Sequence, residues 1–449
     1  MTTNSESEIN ATEKFSFALV NIGNIPIMTL INSFLLIFYV DIVGLNPIAI
    51  IALFLISRII DGLNDPIMGY IIDHLPNTKW GRFRPYLIIG SLFCSLNYVL
   101  LWLGPSMATT GKLIIAYISY ILISLTFDLM DIPLNSMIPV MSTTTKDRNS
   151  LSGIKGISYL LGTLLISIIA VPIIESFPTP REGYHFLIVL TAIIVFVLSL
   201  VGTLGIKERV SKPLKEKYRL KDFYIIIKSR PVLASLVANL LSNVGLACFT
   251  AMAIFFFIYV VGISILYSLA LLLFIVGGFF GAIISTPSAN RIGKKTLYIV
   301  GLFIFGALQV LIVFIPLSLL SLIFIVILIG GIGYGIRGAV YYGISADVVD
   351  YVDWKQGHRT EAAIASLTSF VTKAAMGIGS ALAAYILAST GYVPNVAQTE
   401  QAIQGIYFGT FLLPGILILI SGIFFLLAYP LTRENNQEIT FELSKRREI

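Results

Sequence analysis

Long apolar runs recur along nearly the whole of this 449-residue chain. A helix needs about 20 predominantly apolar residues to cross a bilayer, and twelve runs approach or exceed that length. Only 12% of the residues are charged, whereas soluble domains carry roughly 25%. The mean hydropathy of +0.90 points the same way. The sequence therefore predicts an all-α polytopic membrane protein with twelve transmembrane helices.

The twelve predicted spans are separated by polar loops. They cover residues 15–40, 47–71, 85–104, 113–139, 153–175, 186–206, 232–260, 264–286, 296–316, 318–346, 361–389 and 403–429. The acidic tail ahead of the first span lacks the pattern of a cleavable signal peptide, so the first helix is expected to act as its own insertion signal.

The basic residues lie almost entirely in alternate loops. If the N-terminus is cytoplasmic, 24 of the 30 Lys and Arg residues fall on that side, and only Lys112 and Arg181 fall in the opposite loops. This asymmetry predicts a cell-membrane protein with cytoplasmic N- and C-termini. It also accounts for the net charge of +6 without a nucleic-acid partner.

A faint internal repeat divides the chain into two halves. WGRFRPYLIIGSLF at 80–93 follows the second span, and IGKKTLYIVGLFIF at 292–305 follows the eighth. A basic loop after the second helix of each half is typical of two parallel six-helix repeats, which predicts the major facilitator fold. The predicted parts are an N-tail (1–14), a six-helix bundle (15–206), a central cytoplasmic loop (207–231), a second six-helix bundle (232–429) and a C-tail (430–449).

Other classes of membrane protein fit the sequence less well. A channel more often shows pore loops or a filter such as TVGYG, and the sequence has no such motif. A membrane enzyme or sensor would need a nucleophile or a metal constellation. His74, His185 and His358 lie in separate loops, and Cys94 and Cys248 lie in apolar runs typical of buried thiols. The sequence favours a transporter, without enzymatic activity or a cofactor.

The second span carries charges that lipid would not tolerate. In RIIDGLNDPIMGYIID, residues 58–73, Asp61, Asn64 and Asp65 share one helix face at i, i+3 and i+4. A charge at the bilayer centre costs at least ~2.5–3.5 kcal/mol, so this face must point into the bundle or towards water. Two carboxylates and an amide offer oxygen ligands to a hard cation, and a close carboxylate pair can also carry a proton. This predicts a cation site, with structural pairing to Arg58 as the alternative.

The fourth span contains a second pair of acids. In SLTFDLMDIPLNSMIP, Asp128 and Asp131 share a face, and Pro133 removes a backbone hydrogen bond just after them. Freed carbonyls beside carboxylates are typical of a kinked helix that binds a ligand. A proline kink used only for packing is the alternative.

Three basic residues within spans are candidates to pair with these acids. Lys373 lies far from either end of span eleven, Arg337 lies among glycines in span ten, and Lys155 opens span five. Lys155 is close enough to the interface for its amine to reach water. Tyr341, one turn after Arg337, is a candidate platform for a sugar ring.

Together these motifs resemble one transporter family. DGLNDPIMGYIID at 61–73, KWGRFRPYLIIG at 79–90, DIPLNSMIP at 131–139 and ADVVDYVDWKQGHRTE at 346–361 resemble the glycoside–pentoside–hexuronide:cation symporters. The likeness covers nearly the whole chain. It implies a major facilitator fold that moves a sugar or glycoside together with Na⁺, Li⁺ or H⁺.

The resemblance implies roles for individual residues. Asp61 and Asp65 become the cation ligands, with Na⁺ as a possible occupant. Asp131 corresponds to an acid that holds sugar hydroxyls, Lys373 to a lysine near the cation site, and Lys155 to a basic residue common in the family. The implied cytoplasmic gate of ion pairs consists of Asp73, Arg82, Arg84, Asp350, Asp353 and Arg359.

The chain also departs from the family pattern. Asn24 stands where span one carries a basic residue, Asn135 replaces an aromatic residue, and Asp128 replaces a hydroxyl-bearing cation ligand. The sugar is therefore either neutral, which is favoured, or anionic, such as a uronide or a sulfonated sugar held by Arg337 and Lys155. Export or exchange of an organic anion is a further alternative.

The sequence thus predicts two sites and a working unit of one chain in the bilayer. The predicted cation site consists of Asp61, Asn64, Asp65 and Asp128. The predicted substrate site consists of Asn24, Asp131, Asn135, Lys155, Arg337, Tyr341 and Lys373.

Overall fold

The computed structural model describes residues 9–73, 78–142, 144–209, 228–356 and 361–447. Over these residues the chain divides into two compact units, Met1–Lys215 and Glu216–Ile449. Each unit contains six long helices, and the second unit has a shorter C-terminal helix in addition; no strand occurs within the described ranges.

Six helices form the first unit. They are α1 (Ala11–Ile42, with its last turn π-helical), α2 (Pro47–Asp73), α3 (Arg84–Met107), α4 (Lys112–Met141), α5 (Thr145–Glu175) and α6 (Pro180–Gly205). Thr144 and Thr179 cap the N-termini of α5 and α6 by accepting a backbone N–H with their hydroxyl oxygens.

Seven helices follow in the second unit. They are α7 (Arg230–Val261), α8 (Ile265–Ile292), α9 (Lys294–Ile312), α10 (Leu320–Gln356), α11 (Glu361–Ser389), α12 (Glu400–Ala428) and the polar α13 (Arg433–Arg447). The end of α7 and the middle of α12 contain π-helical turns, Phe256–Val261 and Phe408–Leu412.

The two units use the same pattern of helix neighbours. In the first unit α1 packs on α5 and α6, α3 packs on α4 and α6, and α2 packs on α4. In the second unit α7 packs on α11 and α12, α9 packs on α10 and α12, and α8 packs on α10. Adding six to each helix number of the first unit gives the second pattern, as expected for a duplicated six-helix bundle.

Eleven helices in the described part of the chain are long and apolar enough to cross a membrane. The twelfth, α2, has its described apolar stretch at Pro47–Ser57. The helix limits agree with the predicted spans to within a few residues at most ends. The prediction was wrong at α10, which continues to Gln356 instead of ending near 346, so Asp350 and Asp353 lie on a helix and not in a loop.

Basic residues on the predicted outer side bind the end of α1. The Nζ of Lys112 donates to the carbonyl of Val43 at 3.0 Å, and an Nη of Arg181 donates to the carbonyl of Ile42 at 3.0 Å. Carbonyls at a helix C-terminus carry partial negative charge and lack intrahelical partners. These two cations therefore cap the C-terminus of α1 by donating to its free carbonyls.

Candidate functional site

A buried amide–carboxylate pair joins α2 to α4. The Nδ2 of Asn64 donates to Oδ2 of Asp128 at 2.8 Å. Both side chains are buried, with exposed fractions of 5% and 4%. The predicted polar faces of spans two and four therefore meet inside the first unit.

A second polar cluster surrounds Asp131 and connects α1, α4 and α5. The Nδ2 of Asn24 donates to one carboxylate oxygen at 2.7 Å, and the Nδ2 of Asn135 donates to the other at 2.7 Å. The Nζ of Lys155 donates to Oδ1 of Asn135. The Oδ1 of Asn24 is buried without a hydrogen-bond partner. The cluster thus offers a carboxylate, an ammonium and an unused amide acceptor, which are groups that bind hydroxyls.

Close helix packing holds these clusters in place. A Cβ on Gly90 of α3 would lie 2.7 Å from the carbonyl oxygen of Leu129, which lies between Asp128 and Asp131 on α4. Only glycine lets α3 approach α4 this closely. The two carboxylates are therefore fixed by backbone packing as well as by their amide partners.

In the second unit, Arg337 of α10 lies at the end of a hydrogen-bonded series of neutral polar side chains. An Nη of Arg337 donates to Oδ1 of Asn243 at 3.0 Å, and Nδ2 of Asn243 donates to Oδ1 of Asn239 at 2.7 Å. The Nδ2 of Asn239 then donates to Oγ1 of Thr372 at 3.0 Å. This series links α10, α7 and α11. Lys373, the residue after Thr372, is half-buried.

Two tyrosines accompany Arg337. The guanidinium carbon lies 5.7 Å from the centroid of the Tyr334 ring. Tyr341 is buried, and its ring centroid lies 5.9 Å from that of Tyr298. Tyr341 therefore packs within its own unit, and the role of a sugar platform stays a prediction.

The predicted gate residues have local structural partners. The Nε and an Nη of Arg84 donate to the carbonyls of Thr203 and Leu204 at 3.1 and 3.0 Å, at the C-terminus of α6. Arg82 lies 5.2 Å from the centroid of the Phe83 ring. Of the described residues, none forms an ion pair with Arg84. The guanidinium of Arg84 instead satisfies backbone carbonyls in the last turn of α6.

Two acids that bind neighbouring helices were not among the predicted site residues. Glu208 accepts the backbone N–H groups of Arg82, Phe83 and Arg84 at 2.8–2.9 Å and so caps α3. Asp347 accepts from the Nζ of Lys294 at 2.6 Å. Glu208 lies in the polar loop after predicted span six, and Asp347 follows Ala346 in the motif ADVVDYVDW. In both cases the signal in the sequence is an acid just past the end of an apolar run.

Asp347 also anchors the C-terminal helix α13 to the second unit. Its other carboxylate oxygen accepts from Nδ2 of Asn436 at 2.9 Å. An Nη of Arg433 donates to the carbonyl of Arg291 at 3.0 Å. A cavity of about 1010 Å³ lies between α13, the ends of α8 and α9, and Asp347.

Four predicted site residues lie outside the described part of the structure. They are the side chains of Asp61, Asp65 and Asp73, and Arg359 as a whole. Across the residues that the structure does describe, no group of three or more His, Cys, Asp or Glu side chains is placed to hold a metal ion. The predicted cation site therefore stays a prediction, of which only the Asn64–Asp128 pair is described.

Asn239 and Asn243 were not predicted as site residues. They lie at i and i+4 in the apolar run LVANLLSNVGLA, so they share a face of α7. Paired amides inside a membrane helix are a signal of the same kind as Asp61 and Asp65. Neutral amides in an apolar span are a weaker signal than ionised side chains, so these two residues were not predicted.

Comparison with known proteins shows the family. Residues 16–433 match the model of the family described as MFS/sugar transport protein, and the chain belongs to that family. The chain is 30% identical to the isoprimeverose transporter of Lactiplantibacillus pentosus over 403 residues, 88% of this chain and 83% of that protein. It is 28% identical to the glucuronide carrier protein homolog of Escherichia coli, over 93% of this chain and 92% of the relative.

Solved structures agree on the fold. The crystal structure of a D-xylose–proton symporter is similar with a TM-score of 0.64 at 14% sequence identity, covering 93% of this chain and 97% of that one. The predicted membership of the glycoside–pentoside–hexuronide symporters and the predicted major facilitator fold are both confirmed.

Proposed function

We propose that this protein is a secondary active transporter that moves a sugar or glycoside together with a cation across the cell membrane by alternating access. The observation that carries the proposal is the cluster around Asp131, a carboxylate held by two amides beside an unused acceptor. The family and the sugar-related names of the relatives support it. The sugar crosses chemically unchanged.

The Asp131 cluster is suited to sugar hydroxyls. A hydroxyl donates to a carboxylate and accepts from an ammonium or an amide. Asp131 and Oδ1 of Asn24 supply acceptors. The ammonium of Lys155 donates one N–H to Oδ1 of Asn135 and has further N–H groups to donate. We assign these four residues to one side of the sugar site.

The Asn64–Asp128 pair is suited to the coupling ion, Na⁺, Li⁺ or H⁺. Carboxylate and amide oxygens are the ligands of hard cations, and a buried carboxylate can instead accept a proton. We assign Asn64 and Asp128 to this site with the predicted ligands Asp61 and Asp65.

Coupling between the two sites follows from the spacing on α4. Asp128 and Asp131 are separated by one helical turn, so neutralising or reorienting one carboxylate changes the field and the position of the other. A cation at Asp128 therefore improves sugar binding at Asp131. By linkage, the sugar improves cation binding by the same factor.

We further propose that both termini lie in the cytoplasm and that one chain is the working unit. The distribution of Lys and Arg supports the orientation. Each chain contains both the Asp128 pair and the Asp131 cluster, so neither needs a second copy.

Uptake into proteoliposomes tests the proposal. Sugars and glycosides are offered with an imposed Na⁺, Li⁺ or proton gradient. We expect one gradient to stimulate uptake of at least one sugar. Asp131→Asn should weaken sugar binding roughly 10–100-fold, because a hydrogen-bonded charge is lost. Asp128→Asn should keep sugar exchange but lose the stimulation by the gradient.

The exposed acid Glu434 on α13 provides the control. Glu434→Gln removes the same charge far from both clusters in sequence and should transport as the parent does. Equal uptake with and without every cation gradient would contradict symport.

A further inference from the structure

The second unit contains a cavity that the proposed transport mechanism does not use. The α13 cavity is the space of about 1010 Å³ between α13, the ends of α8 and α9, and Asp347. The basic side chains of its lining are Arg291, Lys294, Lys295 and Arg433. The connection from α8 to α9 and the C-terminal helix both fall on the predicted cytoplasmic side. The cavity therefore lies at the cytoplasmic ends of two membrane helices.

The acids of the lining offset only part of this positive charge. One carboxylate oxygen of Asp347 accepts from Nζ of Lys294 at 2.6 Å, and the other accepts from Nδ2 of Asn436 at 2.9 Å. Both oxygens of Asp347 are therefore already used within the fold. Glu434, the other acid of the lining, is an exposed residue on α13.

The other three cations bind neutral backbone groups. The Nζ of Lys295 donates to the carbonyl of Tyr429 at 2.6 Å, and an Nη of Arg433 donates to the carbonyl of Arg291 at 3.0 Å. Among the described residues, no carboxylate forms an ion pair with Arg291, Lys295 or Arg433. Arg291 and Arg433 are exposed, so their guanidinium groups are accessible to an anion that enters the cavity.

Uncharged donors add to the positive character of the cavity. The first residues of α9, 293–296, line it, and no described side chain caps the N-terminus of this helix. A Cβ on Gly293 would lie 3.6 Å from the Cβ of Arg433, so α9 and α13 begin close together. N–H groups in the first turn of a helix lack intrahelical partners and attract anions. The hydroxyl of Tyr429, a residue of the cavity wall, is buried without a hydrogen-bond partner.

Apolar side chains also border the cavity. Ile292 and Phe441 line it and are 50% and 60% exposed. A small inorganic anion makes no use of exposed apolar groups, whereas the acyl chains of a lipid pack against them. Basic pockets between membrane helices on the cytoplasmic side are typical sites for anionic lipid headgroups. The lining therefore combines the two kinds of contact that an anionic phospholipid makes.

We propose that the α13 cavity binds the phosphate group of an anionic ligand, and that an anionic phospholipid of the cytoplasmic leaflet is the source of that group. The phosphate oxygens accept from Arg291, Lys295 and Arg433 and from the first N–H groups of α9. None of these residues is assigned to the sugar or the cation site, so the inference does not depend on the proposed function. The bound ligand connects α8, α9 and α13.

Calorimetric titration of the purified full-length protein in a neutral detergent at low ionic strength tests the proposal. The probes are dioctanoyl phosphatidylglycerol, dioctanoyl phosphatidylcholine and inorganic phosphate. The two lipids have the same acyl chains and a phosphate group, but choline adds a positive charge that offsets the phosphate. We expect saturable binding of phosphatidylglycerol, about 10-fold or more tighter than that of phosphatidylcholine.

Arg291→Gln is the most direct variant. The side chain of Arg291 forms no hydrogen bond or ion pair within the described part of the chain, so its removal should leave the unfolding temperature without lipid unchanged. It should weaken phosphatidylglycerol binding about 5-fold or more, and adding Lys295→Gln should weaken it further by a similar factor.

Lys207→Gln is the matched control. It removes one exposed cation from the predicted cytoplasmic side of the first unit. It should change phosphatidylglycerol binding less than about 2-fold, because a specific site, unlike a general attraction to basic protein surface, does not depend on it.

Three results would overturn the inference. They are the absence of saturable binding by both phosphatidylglycerol and phosphate, equal affinity for the two lipids, and an affinity in Arg291→Gln no lower than in Lys207→Gln. The phosphate arm separates the sources of the ligand. Tighter binding of phosphatidylglycerol than of phosphate supports a lipid, whereas inorganic phosphate that binds as tightly and displaces the lipid supports the phosphate site and overturns the lipid as its source.

Discussion

At the scale of single residues, amides hold the charged groups of Asp131 and Arg337 in place. Asp131 accepts from Asn24 on another helix and from Asn135 on the next turn, and Arg337 donates to Asn243. Amides orient a charged group without neutralising it. A charge kept in this way remains available for a ligand, whereas a salt bridge would have to be broken first.

Removing the amide of Asn64 should destabilise the first unit. Asn64→Leu leaves Asp128 without its amide donor at a site where both side chains are buried. We expect a loss of about 1–3 kcal/mol in the free energy of unfolding, the cost of removing a partner from a buried charged acceptor. Thermal unfolding of the purified protein measures this. Gln401→Leu, an exposed amide on α12, should change stability by less than about 0.5 kcal/mol. Equal stability of both variants would contradict the role given to Asn64.

At the scale of helices, glycines determine which elements touch. α8 and α9 approach α10 at places where a side chain would collide with backbone atoms. In a membrane, packing of this kind replaces the hydrophobic effect as the main force between helices. The helix that carries Arg337 is therefore the most tightly constrained of its unit by this criterion.

Two glycines of α10 should respond oppositely to alanine. Gly335→Ala directs a Cβ to within 1.9 Å of the carbonyl oxygen of Gly278, so α8 and α10 must separate. We expect a loss of about 1–3 kcal/mol or more, as in overpacked cores. Gly338→Ala meets no atom within 4 Å and should be neutral or slightly stabilising, because alanine favours helix. Thermal unfolding measures the stability of both variants. A larger loss of stability in Gly338→Ala than in Gly335→Ala would contradict the packing of α10 against α8 described above.

At the scale of the whole chain, two units repeat one pattern of helix neighbours. The contents of the two units differ: the first holds two carboxylate clusters, and the second holds a guanidinium with neutral amides. A duplicated scaffold has thus kept its packing while its polar side chains diverged.

Cysteine labelling in intact cells tests the proposed orientation. Cys94 and Cys248 are fully buried, so the parent protein should react little with a membrane-impermeant maleimide. Thr110→Cys lies in an exposed loop on the predicted outer side and should react in intact cells. Lys79→Cys, exposed on the predicted cytoplasmic side, should react only after the cells are opened. The reverse pattern would place both termini outside.

The class, the fold and most of the helix limits follow from the sequence alone. Apolar length and alternating charge are one-dimensional properties, because the bilayer acts on each span separately. The acids at Asp128 and Asp131 were found for the same reason, since a charge in an apolar span is visible without knowing its neighbours. α10 was misjudged because its last turns leave the apolar run, and the helix continues where polar contacts sustain it.

Which polar groups meet could be learned only from the folded structure. Asn24 and Asp131 are 107 positions apart, and Arg337 and Asn243 are 94 apart. No local pattern relates such residues, because their contacts depend on how closely glycine-bearing helices approach. Burial of the charge of Arg337 beside neutral amides is a property of that packing.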